Sequence, residues 1–134
     1  MNNLLDYLYG LIYDYGFGLE IKKLPPYFPA RYIPAYNLII INSNWHNKKE
    51  IPFTVAHELG HALNGDNGVM YYSNSATPNS KAEFGANTYA LTTLYEYAKQ
   101  QGQYFDEPQN FVQAYGIPQN MLEIAKKLFK DDKE

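Results

Sequence analysis

His57-Glu58-Leu59-Gly60-His61 sets two imidazoles and a carboxylate at a spacing that can do chemistry. On an α-helix, residues four apart lie on one face, one turn above the other. Two histidines so placed can close on a single metal ion, with Zn–N distances of about 2.0–2.1 Å. Glu58 stands one residue further round, near enough to reach a metal-bound water without ligating the ion. That is the position of the general base in a zinc peptidase. The bland alternative is an amphipathic helix whose histidines merely pack. The flanks favour the metal. Pro52 suits a first helical turn and Asn64-Gly65 a C-terminal stop, so both histidines fall mid-helix, where geometry is rigid. Gly60, a cost of about 1 kcal/mol against Ala in a helix interior, makes sense as room for a close neighbour.

A catalytic zinc usually has three protein ligands and a water. Beyond the motif, Asp66, Glu83, His46 and Glu96 are the candidates. Glu83 heads the stripe Glu83, Asn87, Ala90, Leu94 and Tyr97, whose helical rhythm places a polar pair on an otherwise apolar face. A carboxylate buried there is costly unless paired, and a metal pairs it. Asn87, one turn on, can accept the free ring N–H of a bound histidine and so fix its tautomer. Ser80-Lys81-Ala82-Glu83 is equally a capping box, in which Glu83 would only bond backbone N–H groups. Spacing alone does not separate the two.

The elements that must position these groups follow from periodicity. Leu4, Leu5, Leu8, Leu11, Ile12 and Tyr15 predict a helix over 3–15, stopped by Gly16 and Gly18. Short strands are expected at 19–24, 31–33 and 36–42, with a loop forced by Pro25, Pro26 and Pro29 and a turn at Pro34-Ala35. The β-branched run Leu38-Ile39-Ile40-Ile41 should be the best-buried strand. Helices are expected at 51–64, 80–101, 109–115 and 118–130, with the charged tail 130–134 fraying. No long linker divides residues 1–134. The result is a single α+β domain with a small three-stranded sheet, expected to be antiparallel, flanked by helices.

Composition narrows the function classes. Of 134 residues, 46% are hydrophobic and 19% charged, the balance of a globular chain. The absence of cysteine rules out disulfides and thiolate-bound zinc. A net charge of −3 gives no footprint for nucleic acid, and the 14 tyrosines are not interleaved with basic residues. Several, including Tyr89 and Tyr97, fall at core spacings. The segment Met1-Asn2-Asn3-Leu4 lacks a basic leader pattern, Asp6 interrupts the apolar stretch, and no apolar run nears the roughly 18 residues of a membrane span. A cytoplasmic protein with no membrane or nucleic-acid partner is expected.

Glu83-Phe84-Gly85-Ala86-Asn87-Thr88-Tyr89-Ala90 resembles the E-x-x-A-N-x-F-A motif of the ImmA/IrrE metallopeptidases. Those proteins carry it on the helix after H-E-x-G-H, and Gly60 matches that glycine. Arg31-Tyr32-Ile33-Pro34 running into Ile39-Ile40-Ile41-Asn42 is similar to their strands. The resemblance spans about residues 1–100, with specific motifs only at 57–61 and 83–90. It implies a zincin-like fold in which His57, His61 and Glu83 bind Zn2+ and Glu58 is the base. It also implies a regulatory endopeptidase of the phage or mobile-element type, acting on a transcriptional repressor encoded nearby. Two departures stand out. Tyr89 replaces the usual Phe, and Leu91-Thr92-Thr93-Leu94-Tyr95 runs on where the family often has an apolar-Met-Pro segment.

Peptidases of this type hold substrate extended along a sheet edge. Tyr71, Tyr72 and His46 are candidate donors to the scissile carbonyl. One alternative function is a non-catalytic, zinc-stabilised module that inactivates a repressor by binding; it would need a fourth protein ligand, for which His46 or Asp66 is available. Another is a general aminopeptidase, for which no site for a substrate N-terminus is evident.

Overall fold

The apolar stripe near the N-terminus folds as helix α1 (Asn2–Asp14) in the computed structural model, which describes residues 2–65 and 81–133. Leu4, Leu8 and Ile12, each four apart, form its buried face. Gly16 follows at φ 85°, in the left-handed region that glycine adopts without steric cost.

Three strands come next: β1 (Gly18–Lys22), β2 (Arg31–Ile33) and β3 (Leu38–Asn42). Their spatial order is β1-β3-β2, so the β-branched run is central, and its Ile39 and Ile41 are buried. The sheet is mixed, which corrects the antiparallel expectation. β2 returns into β3 through a 3-10 turn (Pro34–Tyr36) and Asn37 at φ 52°, and those two strands are antiparallel. β1 instead pairs parallel with β3, from Gly18 opposite Leu38 to Lys22 opposite Asn42. The proline loop is the reason. Pro25, Pro26 and Pro29 cannot make a tight hairpin, so the chain crosses to the far edge and β2 then turns back into the gap.

Asn42 holds that loop in place. Its side-chain oxygen accepts from the backbone N–H of Leu24 (3.0 Å) and of Asn44 (2.8 Å). Its Nδ2 donates to the carbonyls of Pro25 (2.8 Å) and Phe28 (2.9 Å). Both lone pairs and both protons of the amide are thus used in a buried position.

A 3-10 turn (Lys48–Glu50), capped by the Asn47 side chain, leads into α2 (Ile51–Leu63), which carries the motif. Pro52 lies in its first turn, as expected. α2 packs against β2, β3 and α1, and most extensively against α3 (Lys81–Gln100). Gly60 is where the two helices meet: a Cβ placed on it would sit 3.0 Å from the Ala86 Cα and 3.2 Å from the Tyr89 Cβ. The glycine provides the room that its mid-helix position suggested.

Helices α4 (Pro108–Ala114) and α5 (Leu122–Lys133) cover the other side of α3. Tyr95 of α3 lies between Phe111 and Phe129, ring centroids 5.5 and 5.0 Å away. The final helix begins at Leu122, because residues 119–121 form a 3-10 turn. It runs to Lys133, whereas fraying was expected from 130. Asp132 anchors it, accepting from the Tyr95 hydroxyl (2.9 Å) and from Lys99 Nζ (3.3 Å). Among the described residues no helix is long and apolar enough to cross a membrane.

Gly60→Ala tests the helix crossing. Alanine has the better helix propensity, but the contact leaves no space for its methyl, so overpacking wins and the protein loses about 1–3 kcal/mol. Urea unfolding measures this. A variant more stable than wild type by about 1 kcal/mol, the full propensity gain, would show that α2 and α3 separate at no cost.

Candidate metal centre

Two elements build the site. α2 presents His57 and His61 one turn apart, and the first turn of α3 brings Glu83 to them. His57 Nε2 and His61 Nε2 are 3.2 Å apart. Glu83 Oε1 lies 2.8 Å from His61 Nε2, and Oε2 lies 3.4 Å from His57 Nε2. Tetrahedral ligands held at 2.0–2.1 Å from zinc are separated by about 3.3 Å. The two ring nitrogens and the carboxylate therefore already converge as ligands of one ion would, and all three side chains are buried. Two nitrogens and a carboxylate oxygen suit a borderline divalent ion such as zinc. The donor set fits the metal that the spacing implied.

The electrostatics agree with this geometry. Burial by itself would raise the Glu83 carboxyl. Hydrogen bonds to His57 and His61, and the charge those rings can carry, outweigh burial and hold it at about 2. Glu83 is thus ionised and turned towards the histidines. Ser80, the other half of the possible capping box, lies outside the described residues.

Glu58 behaves in the opposite way. It is fully buried, and neither of its oxygens has a hydrogen-bond partner. Its Oε2 is 4.0 Å from His57 Nε2. Burial first, and the negative charge of Glu83 second, push its carboxyl well above the ordinary carboxylate range. The Tyr32 backbone in β2 opposes this slightly, without a hydrogen bond of good geometry.

Not every expected residue joins the cluster. Asn87 is buried and lines the cavity beside the triad, but His57 Nδ1 is buried without a hydrogen-bond partner, so the expected support from Asn87 is not made to that ring. His46 stacks on Tyr27, ring centroids 4.4 Å apart, and is not among the grouped ligands. Glu96 pairs with Lys99 at 3.2 Å, about 20 Å along the helix from Glu83. Asp66, Tyr71 and Tyr72 lie outside the described residues. Sequence reading gave no role to Trp45, Phe53 and Met121, which wall the cavity next to His57 and Glu83. They come from three separate stretches of chain, so no local pattern could have joined them.

Residues 17–126 match the model of peptidase family M78, described as the IrrE N-terminal-like domain. No curated protein and no solved structure matches the chain.

The two glutamates make opposite contributions to stability. Glu83, with its pKa lowered to about 2, stabilises the fold above the unfolded carboxylate value, and that contribution is lost as pH falls through about 2. Glu58, raised, keeps its proton in the folded chain where the unfolded chain has lost it. Stability therefore declines as pH rises from the unfolded value through the folded one. In chelator-treated protein, Glu58→Gln should be more stable than wild type at about pH 8, with the gap closing towards about pH 4.5. Urea unfolding across that range measures it, and a gap independent of pH would show that Glu58 is not the group penalised.

Proposed function

The chain belongs to the IrrE N-terminal-like peptidase family, and from that premise we propose that it is a zinc-dependent endopeptidase directed at one protein target, a transcriptional repressor of a mobile element. Glu58 is the observation that carries the catalytic part of this reading. A wholly buried carboxylate with no hydrogen-bond partner opposes folding. A site that only held structural metal would have no use for it, whereas a hydrolytic site needs a base at that place. This favours catalysis over the binding-module alternative.

His57, His61 and Glu83 would hold the ion. Bound zinc would supply Lewis acidity, making water nucleophilic near neutral pH. Glu58 accepts the proton that the attacking water gives up and returns it to the leaving amine. Its place, buried with Oε2 4.0 Å from His57 Nε2, sets it beside the water that such an ion would hold. Among the described residues β2 is an edge strand, bonded to β3 on one side, and its Tyr32 backbone lies beside Glu58. An extended peptide that adds to β2 as a further strand would pass the base. A flexible linker of the target can take that form without unfolding a core. The repressor as target, and action in the cytoplasm where it resides, are supported by the resemblance to the ImmA/IrrE peptidases.

Purified protein should hold about one zinc per chain. His57→Ala, His61→Ala and Glu83→Ala should each lose most of it by elemental analysis, while Glu58→Gln keeps the metal and loses hydrolysis. Full retention in Glu83→Ala would return that residue to helix capping. For the target, wild type and Glu58→Gln are each co-expressed with the repressor encoded beside the gene, and fragments are mapped by mass spectrometry. One cut in a linker, with wild type only, is expected. An intact repressor released from its operator by both proteins would instead favour the binding module. Rapid cleavage of unrelated unfolded proteins would remove the idea of a dedicated target.

A further inference from the structure

The cavity that opens beside His57 and Glu83 has a volume of about 210 Å³. Its apolar wall is built by Trp45 from the loop after β3, Phe53 from the first turn of α2, and Met121 from the 3-10 turn before α5. The Met121 turn is brought there by Gly116, at φ 63°, whose backbone lies so close to the Lys49 carbonyl that a Cβ would overlap it. The C-terminal part of the chain is thereby pressed against the start of the motif helix. Asn87 and Asn120 also line it, and two further polar groups on the wall are already engaged within the protein. Trp45 Nε1 donates to Glu50 Oε1 (3.0 Å), and the Thr54 hydroxyl donates to the Ile51 carbonyl (2.7 Å).

From this we propose that the cavity is a specificity subsite, taking one apolar side chain of leucine, methionine or phenylalanine size from the residue beside the bond that is cut. The proposal rests on the peptidase reading above. Size supports it: an apolar cavity of about 150 Å³ already admits benzene, so 210 Å³ accommodates an isobutyl or benzyl group. Continuity supports it as well. The cavity shares His57 and Glu83 with the triad, so its occupant is tethered to whatever the triad holds and is not a free ligand. Ordering that residue against Trp45, Phe53 and Met121 also fixes where the scissile carbonyl falls.

The chain has a single tryptophan, Trp45, so its fluorescence reports occupancy directly. Zinc-loaded protein is titrated with malonyl hydroxamates bearing hydrogen, isobutyl, benzyl or aminobutyl beside the chelating group. Affinity is read by calorimetry and occupancy by Trp45 emission. Isobutyl and benzyl compounds should bind about 10- to 100-fold more tightly than the unsubstituted one and shift the emission. Met121→Ala should reduce that ratio severalfold while leaving the unsubstituted compound bound. Equal affinities with unchanged emission, zinc being held, would overturn the subsite and leave the metallopeptidase standing. Tightest binding of the aminobutyl compound would overturn it in favour of a basic side chain paired with Glu50. A protein that neither holds zinc nor binds any of the four would overturn the peptidase reading, and the subsite with it.

Discussion

Gly60 and Ala86 meet where α2 crosses α3, and the approach is close enough that a methyl on Gly60 would lie 3.0 Å from the Ala86 backbone. The geometry of the site depends on that contact. Bringing the two backbones together places Glu83, one turn before Ala86, within hydrogen-bonding reach of His61, one residue after Gly60. The same closeness removes water from both faces. His57, Glu58, His61, Glu83 and Asn87 are all buried, and among the described residues Asn42 is the one other polar side chain buried to that degree. The chain has thus concentrated its unfavourable polar burial at one crossing.

Charge within that crossing is unevenly matched. Glu83 has two imidazoles to satisfy it and stays ionised, whereas Glu58 has none of its oxygens bonded and resists ionisation. Two carboxylates, 4.0 and 3.4 Å from the same His57 Nε2, are driven to opposite states by environment alone. Such a split is the physical basis for giving one the role of ligand and the other that of proton carrier. A cluster kept only for stability would not retain an unpartnered carboxyl in its interior, since apolar replacement of similar volume would stabilise it.

The rest of the fold serves the crossing. Asn42 fixes the proline loop through three hydrogen bonds, which sets β2 beside Glu58 at what is, among the described residues, the sheet edge. Gly116 presses the turn before α5 onto the start of α2 and so gives the cavity its Met121 wall. Neither residue has any local signature of these tasks. An asparagine at a strand end and a glycine after a short helix read as ordinary boundaries, because the partners that matter here are 14–18 residues or much further away.

What the sequence by itself determined is what lies within one helix turn. The spacing of His57 and His61 sets two ligands on one face, and the rhythm of Glu83, Asn87, Ala90, Leu94 and Tyr97 correctly marks a buried stripe. The helices were legible to within a few residues for the same reason, since their apolar period is local. Only the tertiary structure decided whether Glu83 faces the histidines, because a capping box and a ligand share the same four residues and differ only in what stands opposite. It also decided the direction of β1 against β3: strand period says which side chains are buried but not which way a neighbour runs. The ionisation states of Glu58 and Glu83 belong to the fold as well. They depend on burial and partners, and neither exists until α2 and α3 meet.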